Sequence, residues 1–122
     1  MIDITMNTAR LKLIIKGHAT AEESQQYREI CAAASALAQS MVYSISKMDN
    51  AEGALRSIQY RDDPGDLFVL IMPEQWAENM IKNRFRNFGD GLELLAKSHP
   101  QSVSMIWDGG KILPDKEEKA NE

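Results

Sequence analysis

The chain holds one cysteine, Cys31, and two histidines, His18 and His99. His18 and Cys31 fall in one stretch, IKGHATAEESQQYREICAAASAL, and are the residue types that make a nucleophile and its base. A free thiol with a pKa near ~8.5 is only slightly ionised at neutral pH. A neighbouring imidazole can take its proton and, as imidazolium, stabilise the thiolate that results. A helix N-terminus would add partial positive charge and free N–H groups able to serve an oxyanion. The competing reading is a loop histidine and a small buried thiol filling the core, the commoner state of a lone cysteine.

Which reading holds depends on the elements that carry the two residues. Ile2, Ile4 and Met6 alternate with Asp3, Thr5 and Asn7, the period of a half-buried strand. After an "NTA" turn, Leu11, Leu13 and Ile15 give a second strand, so a hairpin is expected. Gly17 ends it and places His18 at a strand exit, where loops carry function. Ile30, Ala34, Leu37, Met41, Ile45 and Met48 then recur at helical spacing, until "KMDNAEG" stops the helix. Its start has two readings. Thr20 with Glu23 forms a capping box that would begin the helix near Ala21 and run it straight through Cys31. Alternatively, residues 19–30 form a mobile loop, with or without a short helical turn that breaks near Tyr27, and the cysteine opens the helix.

Ile58 and Tyr60 alternate with polar residues in a third strand, and "DDPGD" supplies a type II turn with Gly65 at its third position. "LFVLIM" is apolar on both faces and is expected to be the most buried strand. Pro73 fits the first turn of a second helix, with Ala77, Met80 or Ile81, Phe85, Phe88, Leu92 and Leu95 as its buried stripe. Gly89 and Gly91 weaken its middle, "SHP" ends it, and "SVSMIW" is a fifth strand. Trp76, Phe85 and Phe88 are expected as core or dimer contacts. The order is ββαββαβ: an α/β (α+β) sandwich with an approximately five-stranded mixed sheet packed against two main helices. Residues 1–108 form one domain, and residues 109–122 form a polar tail expected to fray.

Composition narrows the function classes. With 122 residues, 43% apolar and 26% charged, the chain can bury a core without staples. Its net charge of −4 and scattered basic residues exclude a nucleic-acid surface. No apolar run approaches the ~18 residues of a membrane span and no signal-peptide layout is present, so a cytoplasmic protein with no membrane association is expected. A single cysteine makes no internal disulfide, and no His/Cys cluster has metal-binding spacing, so neither metal nor cofactor is expected. Asp62, Asp63 and Asp66 lack the spacing of a calcium loop and read as a solvated turn. His99, before Pro100, reads as a helix-end residue.

"GHA", then "CAAASAL", then "GLELLAKSHPQSV" resembles in order the motifs of the Prp family, the ribosomal-processing cysteine proteases. The resemblance spans about residues 2–106. It implies a cytoplasmic, homodimeric α/β sandwich that removes a short N-terminal extension from a large-subunit ribosomal protein; phage-encoded relatives act on head proteins. Carried over by position, Cys31 would be the nucleophile and His18 its general base, later the acid for the leaving amine. Ser35 matches the motif's serine and, at i+4 from Cys31, shares its helix face; its hydroxyl would steady the site or simply let helix and sheet approach. Family members usually carry Gly-x-Asp just before the cysteine, with the aspartate three residues ahead of it. Here Gln26 and Arg28 stand in those places, in a loop one residue longer. That leaves Glu29 or Glu23 to replace the missing carboxylate. It also frames an alternative: a catalytically silent Prp-like dimer that binds a protein segment without cutting it.

Overall fold

The computed structural model describes residues 1–17 and 24–107. His18, residues 19–23 and residues 108–122, which include the tail 109–122, lie outside the described residues. The elements run β1 (Ile2–Asn7), β2 (Lys12–Lys16), α1 (Gln25–Glu52), β3 (Leu55–Asp63), β4 (Asp66–Pro73), a 3-10 turn (Gln75–Ala77), α2 (Glu78–Ser98) and β5 (Val103–Trp107). The strands form one five-stranded sheet in the order β3-β4-β2-β1-β5. Its neighbours are antiparallel except β1 and β5, which are parallel. The ββαββαβ mixed sheet with two helices is therefore the observed fold.

Register explains where the core sits. Ile4 lies opposite Ile15 and Met6 opposite Leu13; Leu13 and Ile15 in turn face Val69 and Leu67. Ile2 faces Val103. All these residues are buried, and alternation puts them on one face of the sheet. Into that face α1 sends Ile30, Ala34, Ala38, Met41 and Ile45, and α2 sends Ile81, Phe85 and Leu92. The domain is thus two layers, with both helices on the same side.

That arrangement corrects two expectations and narrows a third. β4 is not buried on both faces: Leu67, Val69 and Ile71 point into the core, but Phe68 and Leu70 are half-buried and Met72 is exposed. The strand is apolar on a face that neither α1 nor α2 covers. Pro73 closes β4 instead of opening α2, which begins at Glu78 after the 3-10 turn. A proline's fixed φ suits either place. Trp76, in that turn, is exposed and contributes nothing to the core, whereas Phe85 is fully buried.

Gly89 stands in the middle of α2, although glycine costs a helix about 1 kcal/mol relative to alanine. The reason is proximity. A Cβ there would lie 2.5 Å from Cη2 of Trp107 and 2.7 Å from Sδ of Met6. The Met6 side chain can swing, but the Trp107 ring is packed against the core. We expect Gly89→Ala to lower stability by about 1–2 kcal/mol, overpacking outweighing the gain in helix propensity. Thermal unfolding checks this; a melting temperature unchanged or raised would show that the ring yields freely.

Candidate active site

The start of α1 decides what surrounds Cys31. Ser24 is extended (φ −65°, ψ 157°), and its side chain accepts a hydrogen bond from the Tyr27 N–H at 3.1 Å. Its carbonyl accepts from the Arg28 N–H at 3.1 Å. Ser24 is therefore the N-cap, and the helix opens at Gln25. It does not begin near Ala21, as the Thr20 box predicts, and it runs unbroken past Tyr27. Nor does it begin at the cysteine. Cys31 is the seventh helical residue, about 9 Å along the axis from Gln25 at ~1.5 Å per residue. The helix-terminal charge fades within the first turn, so the N-terminus of α1 supplies neither field nor free N–H groups at the thiol.

What Cys31 does have is a cavity. It is half-buried and borders a space of about 260 Å³ between α1 and the tip of the β3–β4 hairpin. Arg28, Cys31, Ala32 and Ser35 form the helical wall, a single face of α1. Ile15 and Gly17 close it from β2, and residues 62–67 of the hairpin stand opposite. The structure thus brings Cys31 and Ser35 onto one wall and places Gly17, the residue before His18, on another. His18 itself lies outside the described residues.

Gly17 is fixed by its surroundings. Its φ is +101°, a region L side chains rarely adopt, and a Cβ would fall 2.4 Å from the carbonyl oxygen of Met1. Its N–H donates to the carbonyl of Gly65 at 3.1 Å, tying the exit of β2 to the hairpin turn. Gly65 has φ +76°, as the third position of a type II turn requires.

The hairpin is acidic, and most of its charge is matched. Arg61 reaches Asp63 at 3.4 Å and Asp66 at 3.3 Å, and Lys16 lies 3.8 Å from Asp66. These pairs are solvent-exposed and worth ~1 kcal/mol or less each. Asp62 differs: its Oδ2 accepts from Nε2 of Gln39 at 2.8 Å and from the Tyr60 hydroxyl at 3.2 Å. Burial, and after it the charge of Asp62, raises the Tyr60 phenol above its ordinary value. Tyr60 therefore stays a hydrogen-bond donor through the neutral range. The "DDPGD" turn is more than a solvated turn, because its carboxylates border the cavity of the thiol. Sequence spacing gave no sign of this; it follows from the stacking of α1 over the hairpin.

The other sequence candidates fall elsewhere. His99 caps the C-terminus of α2 and borders a separate cleft with Gln26, Ser98 and Ser102. Glu29 accepts a hydrogen bond from the Gln25 side chain at 3.1 Å and is not among the residues lining the cavity. Arg28 does line it. Among the described residues no group of three or more His, Cys, Asp or Glu is placed to hold a metal ion. No helix there is long and apolar enough to cross a membrane.

A two-layer α/β domain with a helix-borne thiol facing a strand exit across a small cavity defines a candidate thiol-enzyme frame. The family follows from the sequence: the chain belongs to the cysteine protease Prp family, whose model matches residues 1–104. Among solved structures it is similar to an essential ribosomal processing protease Prp from S. aureus in complex with a substrate peptide. The identity is 18%, over 88% of this chain and 97% of that one, with a TM-score of 0.62. The same S. aureus protease with a covalently linked product peptide matches at 19% identity over 88% and 97% of the two chains, with a TM-score of 0.60. A Streptococcus mutans protein matches at 19% identity over 87% and 90%, with a TM-score of 0.62. At these identities the likeness is one of fold. No curated protein matches the sequence.

Proposed function

We propose that the chain is a cysteine endopeptidase of the Prp type, with Cys31 as nucleophile and His18 as general base. The observation that carries this reading is the cavity shared by Cys31 and Gly17, the residue to which His18 is joined, in a chain that matches the family over residues 1–104. In the reaction, the thiol proton passes to the imidazole as sulfur bonds to the scissile carbonyl carbon. The imidazolium then protonates the leaving amine as the C–N bond breaks, and water hydrolyses the thioester to carboxylate and thiol. Because the backbone of Cys31 is inside the helix, oxyanion stabilisation falls to other donors. The Ser35 hydroxyl, on the same wall, is the candidate.

The substrate is a short exposed segment of another protein, the N-terminal extension of a large-subunit ribosomal protein or its phage head-protein counterpart. The chain acts in the cytoplasm as a homodimer without cofactor. The peptide complexes of the S. aureus protease support a protein substrate.

The rival reading, a silent Prp-like module that binds a segment without cutting it, is favoured by one observation. Arg28 lines the cavity in the place where the family pattern has an aspartate. Iodoacetamide separates the two. An activated pair gives Cys31 alkylation at pH 6 about ten times faster than a free thiol, and His18→Ala removes that advantage. Equal rates in both proteins, following the profile of ordinary cysteine, would favour the silent module.

A further inference from the structure

The proposed peptidase site has a charge asymmetry that points to what it selects. At about 260 Å³ the cavity is smaller than the ~300–1,000 Å³ that encloses a drug-sized ligand, so it takes one or two side chains of a longer peptide. Its helical wall carries a cation, Arg28, and its hairpin wall carries Asp62, Asp63 and Asp66. Arg61 and Lys16 match Asp63 and Asp66. Among the described residues Asp62 is held by two neutral donors, Gln39 and Tyr60. Both bonds fall on Oδ2, which fixes the carboxylate and leaves its other oxygen for a ligand. A carboxylate that is positioned at the edge of the cavity, with no counter-ion among the described residues, is built to receive a cationic side chain.

We propose that Asp62 is a specificity-determining residue, selecting a lysine or arginine side chain within two residues of the bond that is cut. The proposal rests on the peptidase reading only for the position of that bond. The basic side chain sits on the hairpin side of the cavity, where Asp62 lies. Since Asp62 is exposed, the preference is modest, about two- to fivefold for lysine over an uncharged analogue. It weakens as salt is added.

The test uses the Cys31→Ala chain, so that binding is read without turnover. A positional-scanning set of end-blocked peptides places lysine, norleucine or glutamate at each position in turn, and affinity is read by fluorescence anisotropy. The expected result is one or two adjacent positions where lysine binds best and glutamate worst. That preference disappears in Cys31→Ala/Asp62→Asn and returns in Cys31→Ala/Asp62→Glu. The asparagine amide oxygen still accepts from Gln39 and Tyr60, and an unchanged melting temperature shows that the hairpin is intact. No lysine preference at any position, or one that survives Asp62→Asn, overturns the proposal. The peptidase reading is judged separately, by whether the chain with Cys31 cuts the peptides that bind best. Binding without cutting would remove the peptidase and leave the charge selection standing.

Discussion

Replacing Cys31 by alanine is expected to lower kcat/KM for peptide cleavage by at least ~10³-fold while leaving the domain folded. The size of the loss follows from the site. No second cysteine exists to take over, and a serine hydroxyl such as that of Ser35 is far less nucleophilic than a thiolate at neutral pH. Removing the nucleophile of a covalent mechanism removes the whole pathway; what remains is the residual rate from binding and oxyanion contacts. The fold should survive because Cys31 is half-buried at the rim of the cavity. Alanine keeps the helix of which it is the seventh residue and has a higher helix propensity than cysteine. Circular dichroism and a melting temperature within about 3 °C of the parent would establish that. Cleavage at the parental rate by a folded Cys31→Ala chain would end the peptidase proposal, and the Prp frame would then be read as a binding module.

How much of this was legible beforehand varies with the kind of signal. The alternation of Ile2, Ile4 and Met6 against Leu13 and Ile15 marks a core face directly, because period two survives any tertiary context. The stripe from Ile30 to Ile45 marks α1 in the same way. Local rules do not always decide. Thr20 with Glu23 makes a capping box, but the helix is capped by Ser24, four residues on, which the box pattern does not point to. Pro73 suits the last residue of a strand or the first turn of a helix. "LFVLIM" is apolar on both faces, but a sequence does not say on which side of a sheet the helices pack. The chemistry was legible as residue types, as the helix face that Cys31 and Ser35 share, and through the motifs of the family. That Cys31, Ser35, Gly17 and Asp62 border one cavity depends on the β3–β4 register and on α1 lying over the hairpin, neither of which leaves a local trace.

Gly17 shows most clearly how the sheet shapes the site, and Gly17→Ala is the second large expected effect: a loss of about 2–4 kcal/mol. Positive φ alone costs an L residue roughly 1–3 kcal/mol. The new Cβ would also fall 2.4 Å from a backbone oxygen, that of Met1, and 3.3 Å from the Cα of Ile2. This part of the chain cannot step aside. The Ile2 N–H donates to the carbonyl of Ser102 at 2.8 Å, and Ile2 is paired with Val103 at the start of the parallel β1–β5 ladder. Relief must therefore come from the exit of β2, which the Gly17–Gly65 hydrogen bond ties to the hairpin wall of the cavity. At ~4–8 °C per kcal/mol for a domain near 100 residues, the melting temperature should fall by about 8–32 °C. Cleavage should fall further than the folded fraction does, because the residue joined to His18 has moved. Gly53→Ala supplies the control. Gly53 has φ +65° at the end of α1, but nothing lies within 4 Å of its would-be Cβ. That substitution should cost only ~1–2 kcal/mol. Equal losses at the two glycines would mean that the approach to Met1 plays no part and that backbone conformation alone keeps glycine in front of the histidine.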